Sequence, residues 1–167
     1  MISTDHCEWK KCGMLALRLN DKTMGLIYAD IELLNVEDLV LARRNFLDVD
    51  DIKRIHLNML VDTGSYLMAI NENIQSILHL PFIERRTIYL ANDQEDQYDI
   101  VGPVEVRFAN RKSVCNAYVL PGGSPPLLGA IPMEDMGIII NPQRQELDII
   151  QEPFHRLNTL KPYPGGK

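Results

Sequence analysis

One short run of this 167-residue chain carries chemistry-bearing residues at a useful spacing: Met59-Leu60-Val61-Asp62-Thr63-Gly64-Ser65. Apolar residues deliver a single carboxylate onto a sharp turn, with a hydroxyl on each side of a glycine. A carboxylate at the end of a buried strand can take a proton from water, provided a neutral partner donates one to the substrate. Asp62 is therefore the candidate catalytic residue, and Thr63, Gly64 and Ser65 form its loop. The Ser65 hydroxyl is placed to donate to the ionised carboxylate and so favour the charged form. This layout occurs once, so a second carboxylate would have to come from another molecule. Asp followed by a small residue and Gly is also an ordinary surface turn. Context decides between the two.

Strands must hold such a turn in place. Ile27, Ala29, Ile31 and Leu33 alternate with Tyr28, Asp30 and Glu32, the period of a half-buried strand. Asn35 then caps a helix with Glu37 and Asp38 in its first turn and Arg43 and Arg44 near its end. Val36, Leu39, Val40 and Leu47 supply its apolar stripe. Ile55, Leu57, Met59 and Val61 mark a second alternating strand, which ends at Asp62. Asn71 caps a short helix carrying Ile74, Ile77 and Leu78, closed by Pro81. Strand patterns resume at 87–90, 98–108 and 114–120. A Pro/Gly loop at 121–126 leads to Leu127-Leu128-Gly129, a brief helix from Pro132 to Met136, and Gly137 as its stop. A last hairpin joins 137–141 to 146–150. Many short strands with brief helices predict a compact all-β barrel or sandwich. A weak internal echo relates 55–80 to 114–137.

Composition narrows the function classes. At 46% hydrophobic, the chain supports one sizeable core. A net charge of -6 with scattered basic residues disfavours a nucleic-acid partner. No apolar stretch reaches the length of a membrane span, and the first residues do not read as a signal peptide, so a cytoplasmic location is expected. Three cysteines do not build a disulfide framework. His6, Cys7 and Cys12 cluster without the paired partners a structural zinc requires. The aspartates at 48–51 lack the glycine and distant glutamate of a calcium loop. Cys115 reads as a small core residue.

The run from Leu60 to Ser65, followed about sixty residues later by Leu127-Leu128-Gly129 and a short helix, resembles the retropepsins. These are the retroviral-type aspartic proteases. The likeness is to their cellular prokaryotic branch, where a strand and helix such as 25–47 precede the catalytic strand. It covers about Met24 to Ile150. The resemblance implies a small closed or partly open β-barrel of the acid-protease type with two or three short helices. Residues 24–150 would form that domain, 1–23 an N-terminal extension and 151–167 a tail. It implies that Asp62 is the catalytic carboxylate and that Thr63 bonds across a homodimer to the partner's loop. Gly64 would allow close approach, and Leu127, Leu128 and Gly129 would buttress the loop. Ala91, Asn92 and Asp93 would belong to a flap over a bound peptide. Two departures stand out. The flap has acidic residues (Asp93, Glu95, Asp96) where viral enzymes carry glycines, and Tyr66 replaces an acidic residue that binds substrate backbone.

The expected activity is that of a homodimeric aspartic endopeptidase on peptides or unfolded protein, with no metal or cofactor. Paired carboxyls in aspartic proteases are known to share one proton, which predicts an acid-leaning optimum. Two other readings stay open: a peptide-binding or dimerisation module of the same fold without useful activity, and a β-domain with a coincidental turn.

Overall fold

The computed structural model describes residues 25–89 and 95–150. The expected extension 1–23 and tail 151–167 fall outside them. The first strand, β1 (Tyr28–Asn35), buries Ala29, Ile31 and Leu33 on one face, as their alternation requires. Helix α1 (Val36–Arg43) follows directly, and the Asn35 side chain accepts from the backbone amides of Glu37 and Asp38. Its apolar stripe is not buried as the sequence suggested. Only Asp38 and Leu39 are buried, Val40 is exposed, and Leu47 lies beyond the helix end. A small satellite core of Leu34, Leu39 and Ile52 holds the helix instead.

After a 3₁₀ turn at Val49–Asp51, β2 (Arg54–Val61) runs antiparallel to β1. Strand β3 (Met68–Asn71) has all four residues buried. It shows no alternation, and the sequence reading missed it for that reason. Helix α2 (Glu72–Leu78) is capped by Asn71 as expected, with Ile74 and Leu78 inward and Ile77 exposed. Strand β4 (Phe82–Tyr89) starts five residues earlier than its periodicity suggested, and β5 (Glu95–Phe108) pairs with it antiparallel. Then come β6 (Arg111–Leu120), β7 (Leu127–Leu128), α3 (Ala130–Met136) and the separate hairpin β8 (Ile138–Asn141) and β9 (Glu146–Ile149).

The strands close into a ring. The order is β1-β2-β7-β3-β6-β5, and β5 returns to β1. Strand β5 makes this possible by changing neighbours along one edge. Its first half pairs with β4 and its second half, from Val104, pairs with β1. The change falls at a bulge between Val101 and Val104, where Gly102 takes φ +150 and Pro103 has no amide to offer a ladder. At the closure, Arg107 stands opposite Glu32 and its guanidinium reaches both Glu32 (3.2 Å) and the buried Glu105 (2.7 Å). The core fills the ring with Ile31, Leu33, Met59, Met68, Ile70, Val104, Val106 and Leu128 among others. The fold is thus mostly β with three short α-helices among the described residues.

The echo seen in the sequence has a structural basis. Strand β2 pairs parallel with β7, and β6 pairs parallel with β3; β3 and β7 meet antiparallel at Ala69 and Leu127. A shift of 58 positions exchanges these partners: 60 to 118, 69 to 127, 71 to 129 and 79 to 137. It also carries the N-cap Asn71 onto the N-cap Gly129, and the left-handed C-cap His79 onto the left-handed Gly137. Two strand-strand-helix units interlock about a pseudo-two-fold axis. Each supplies a strand to the other's sheet.

Candidate active site

Asp62 leaves β2 where that strand is clamped from both sides. The Leu60 amide donates to Pro126 O (3.0 Å), that of Val61 to Ile27 O (2.8 Å) and that of Asp62 to Leu128 O (3.0 Å). The chain then reverses, with the Ser65 amide donating to Asp62 O (3.2 Å). The carboxylate folds over this turn, and Asp62 Oδ1 accepts from the Gly64 amide (2.9 Å). A Cβ at position 64 would stand 3.2 Å from that oxygen, so the glycine leaves the carboxylate room. Asp62 is half-buried, while Thr63 and Gly64 are exposed. Ser65 differs from expectation. Its hydroxyl donates to Leu67 O (2.7 Å) and steadies the backbone of the loop instead of the carboxylate.

The loop rests on Leu127-Leu128-Gly129. Leu128 is fully buried and its carbonyl holds the Asp62 amide. Gly129 lies so close to the loop that a Cβ there would meet Leu67 O at 2.3 Å and Ser65 O at 2.9 Å. Just beyond it, the first amides of α3 have no partners inside the helix. They donate to the loop instead, Ala130 to Ser65 O (2.8 Å) and Ile131 to Tyr66 O (3.2 Å). The loop carbonyls therefore cap a helix, and the helix fixes the loop. The other half ties its loop to its helix through side chains instead: Asn71 Nδ2 donates to Ser124 O (2.8 Å), and Glu72 accepts from the Gly122 amide (2.8 Å).

The 58-residue shift places Leu120 at the position of Asp62 and Gly122 at that of Gly64. One half carries the carboxylate and the other carries an apolar side chain. An intrachain carboxylate pair is therefore not formed at this axis.

Beside Gly64 and Ser65 opens a cleft of about 290 Å³. Tyr66 and Tyr118 flank it, Ile88 and Tyr98 reach in from the β4–β5 hairpin, and Leu120 and Leu127 line it as well. A second cleft of about 300 Å³ shares Tyr98 and is polar, with Glu72, Arg85, Asp96 and Asp99. There the Arg85 guanidinium, 2.6 Å from Asp99, holds the Asp99 carboxyl below the usual carboxylate range. The hydrogen bond from the Tyr98 hydroxyl to Asp96 (3.0 Å), with some burial, raises the phenol.

Asp62, Thr63, Gly64, Ser65, Leu127, Leu128 and Gly129 thus meet at one end of the ring. The flap candidates Ala91, Asn92 and Asp93 lie outside the described residues. The sequence reading missed Ile88, Tyr98, Tyr118 and Leu120 as cleft residues. Tyr118 carried a signal, standing between the inward-facing Ala117 and Val119, whereas Ile88 beside Thr87 and Tyr98 between Gln97 and Asp99 carried none. Among the described residues, no group of three or more His, Cys, Asp or Glu side chains gathers as a metal site, and no helix is long and apolar enough to cross a membrane. No protein-family model matches the chain, and no curated protein matches it.

Proposed function

We propose that the protein is an aspartic endopeptidase of the retropepsin type, active as a homodimer on peptides or unfolded protein. One observation carries the reading. A half-buried carboxylate sits on a hydrogen-bonded, glycine-spaced turn, and its counterpart in the internal repeat is Leu120. A second copy of the chain would supply the missing carboxylate across a true two-fold. In that pair the ionised Asp62 takes a proton from a water held between the two. The hydroxide so formed attacks the peptide carbonyl carbon while the neutral Asp62 protonates the carbonyl oxygen. Collapse of the tetrahedral species passes a proton to the departing amine. Thr63, exposed at the tip of the turn, is the group that would reach the partner's loop.

The alternative, a peptide-binding module of the same fold without useful activity, draws on Ser65. Its hydroxyl is committed to Leu67 O, which leaves Asp62 one backbone donor, the Gly64 amide, among the described residues. A cleavage assay separates the two. Wild type and Asp62→Asn are compared on an unfolded protein from acidic to neutral pH, with the dimer followed by sedimentation. Cleavage by wild type that drops at least a hundredfold in the variant supports the protease. Equal cleavage by both proteins, or a wild type that stays monomeric, refutes it.

A further inference from the structure

The cleft beside the turn is built from an uneven row of side chains. Across the ring, Leu127 of β7, Ala69 of β3 and Tyr118 of β6 are direct neighbours in register. Leu127 and Tyr118 are large and half-buried, while the Ala69 between them is buried and small. The missing bulk at Ala69 sets the floor of the roughly 290 Å³ space. Around it stand three phenol rings: Tyr118 in the row, Tyr98 from β5, and Tyr66 from the loop that carries Asp62. Tyr66 is 73% exposed, a large ring with little to cover it among the described residues. Leu or Val at these positions would make an equally apolar pocket. Three tyrosines add ring edges and faces, which favour another aromatic ring at offset or edge-to-face geometry over an aliphatic chain of similar area.

We propose that this cleft is a specificity pocket that selects an aromatic side chain of an extended peptide, with Tyr66, Tyr98 and Tyr118 as its determinants and Ala69 as the residue that sets its depth. The proposal rests on the reading of this site as one that takes an extended peptide, since the pocket opens directly beside Gly64 and Ser65. Charge fixes the character of the rest of the peptide. The adjoining cleft sets Glu72, Asp96 and Asp99 against the single guanidinium of Arg85, so the occupant is neutral or basic in its flanks and not acidic.

Binding, measured without turnover, tests this. Two capped alanine-based hexapeptides, each with a terminal Lys and with Phe or Leu at the third residue, are titrated into Asp62→Asn protein while its amide and tyrosine ring signals are followed by NMR. The Phe peptide should bind roughly threefold to tenfold more tightly, and its shifts should centre on Ala69, Tyr118 and Leu127. Tyr66→Leu, which keeps apolar area at an exposed position, should remove most of that margin. Ala69→Val should weaken the Phe peptide more than the Leu peptide. If Ala69→Val fails to fold, the Tyr66→Leu comparison decides. Equal affinities, absence of binding, or a margin unchanged in Tyr66→Leu would overturn the inference. Cleavage by wild type is read separately. Turnover without an aromatic margin sinks the pocket and leaves the protease; a margin without turnover sinks the protease and leaves the pocket.

Discussion

Replacing Gly129 by alanine should unlock the turn that carries Asp62, and the structure sets the size of the effect. The backbone at Gly129 has φ -83 and ψ 178, a conformation open to any residue. Conformational strain is therefore not the issue. The added Cβ would meet Leu67 O at 2.3 Å, Leu67 C at 2.6 Å and Ser65 O at 2.9 Å, all backbone atoms. No rotamer can relieve such contacts, so either α3 or the loop must move. Three backbone hydrogen bonds bridge the parts that would separate: Asp62 to Leu128 O, Ala130 to Ser65 O and Ile131 to Tyr66 O. Each contributes about 1 kcal/mol net, and overpacking costs about 1–3 kcal/mol. Partial relaxation saves some of these bonds, so the expected loss is about 2–4 kcal/mol, or about 8–16 °C in Tm for a domain of this size. Urea unfolding should show the lower midpoint with an unchanged slope. Gly123→Ala is the control, because its Cβ meets nothing within 4 Å. It should stay within about 0.5 kcal/mol of wild type. If Gly129→Ala also stays within that margin, the close approach of loop and helix does not hold the turn.

Three further outcomes follow from other parts of the fold. Asn35 is 3% exposed and joins two helices, capping α1 through Oδ1 while Nδ2 donates to Leu78 O (3.0 Å) at the end of α2. Asn35→Ala should cost about 2–4 kcal/mol in urea unfolding from the lost cap and the orphaned carbonyl. Asn35→Asp keeps the cap but turns an acceptor toward Leu78 O, so it should be destabilised as well; wild-type stability in Asn35→Asp would show that the α2 bond contributes nothing. Burial pushes the Cys115 thiol up to about 12, with Asp135 adding to the effect. Raised in the folded state, it leaves stability intact below the unfolded thiol value of about 8.5 and lowers it as pH rises from there toward 12. In an alkylation assay read peptide by peptide, Cys115 should stay unlabelled at neutral pH until the protein unfolds; prompt labelling in the folded protein would contradict its burial. Leu128→Ala, at a fully buried position, should cost about 2–5 kcal/mol in thermal unfolding, and a loss under about 1 kcal/mol would mean that the core beneath the turn is loosely packed.

Much of the local structure was legible in the residues. Alternation located β1 and β2, the side chains of Asn35 and Asn71 marked two helix starts, and Gly137 marked a helix end. Each of these signals acts over a few residues, where backbone preferences and capping bonds are decided. The four-residue β3 gave no such signal, because a strand buried on both faces has no period to read. Helix α1 misled for the opposite reason. Its apolar residues suggested a buried stripe, yet β1 already fills the ring with its own inward face, leaving Leu39 as the one buried apolar residue of the helix, with Ala42 and Leu47 half-buried against the same satellite core.

The sequence by itself determined that one carboxylate would stand on one glycine-spaced turn after a buried strand, supported by a Leu-Leu-Gly run far downstream. Only the tertiary structure decided what surrounds it. The parallel pairing of β2 with β7 and of β6 with β3, the closure of β5 onto β1, and the cleft beneath Tyr66 all join residues distant in the chain. Such contacts follow from shared burial and register, which no short window contains. The Ser65 hydroxyl illustrates the divide. Its type and position predicted a donor, and the approach of Leu67 O chose its acceptor.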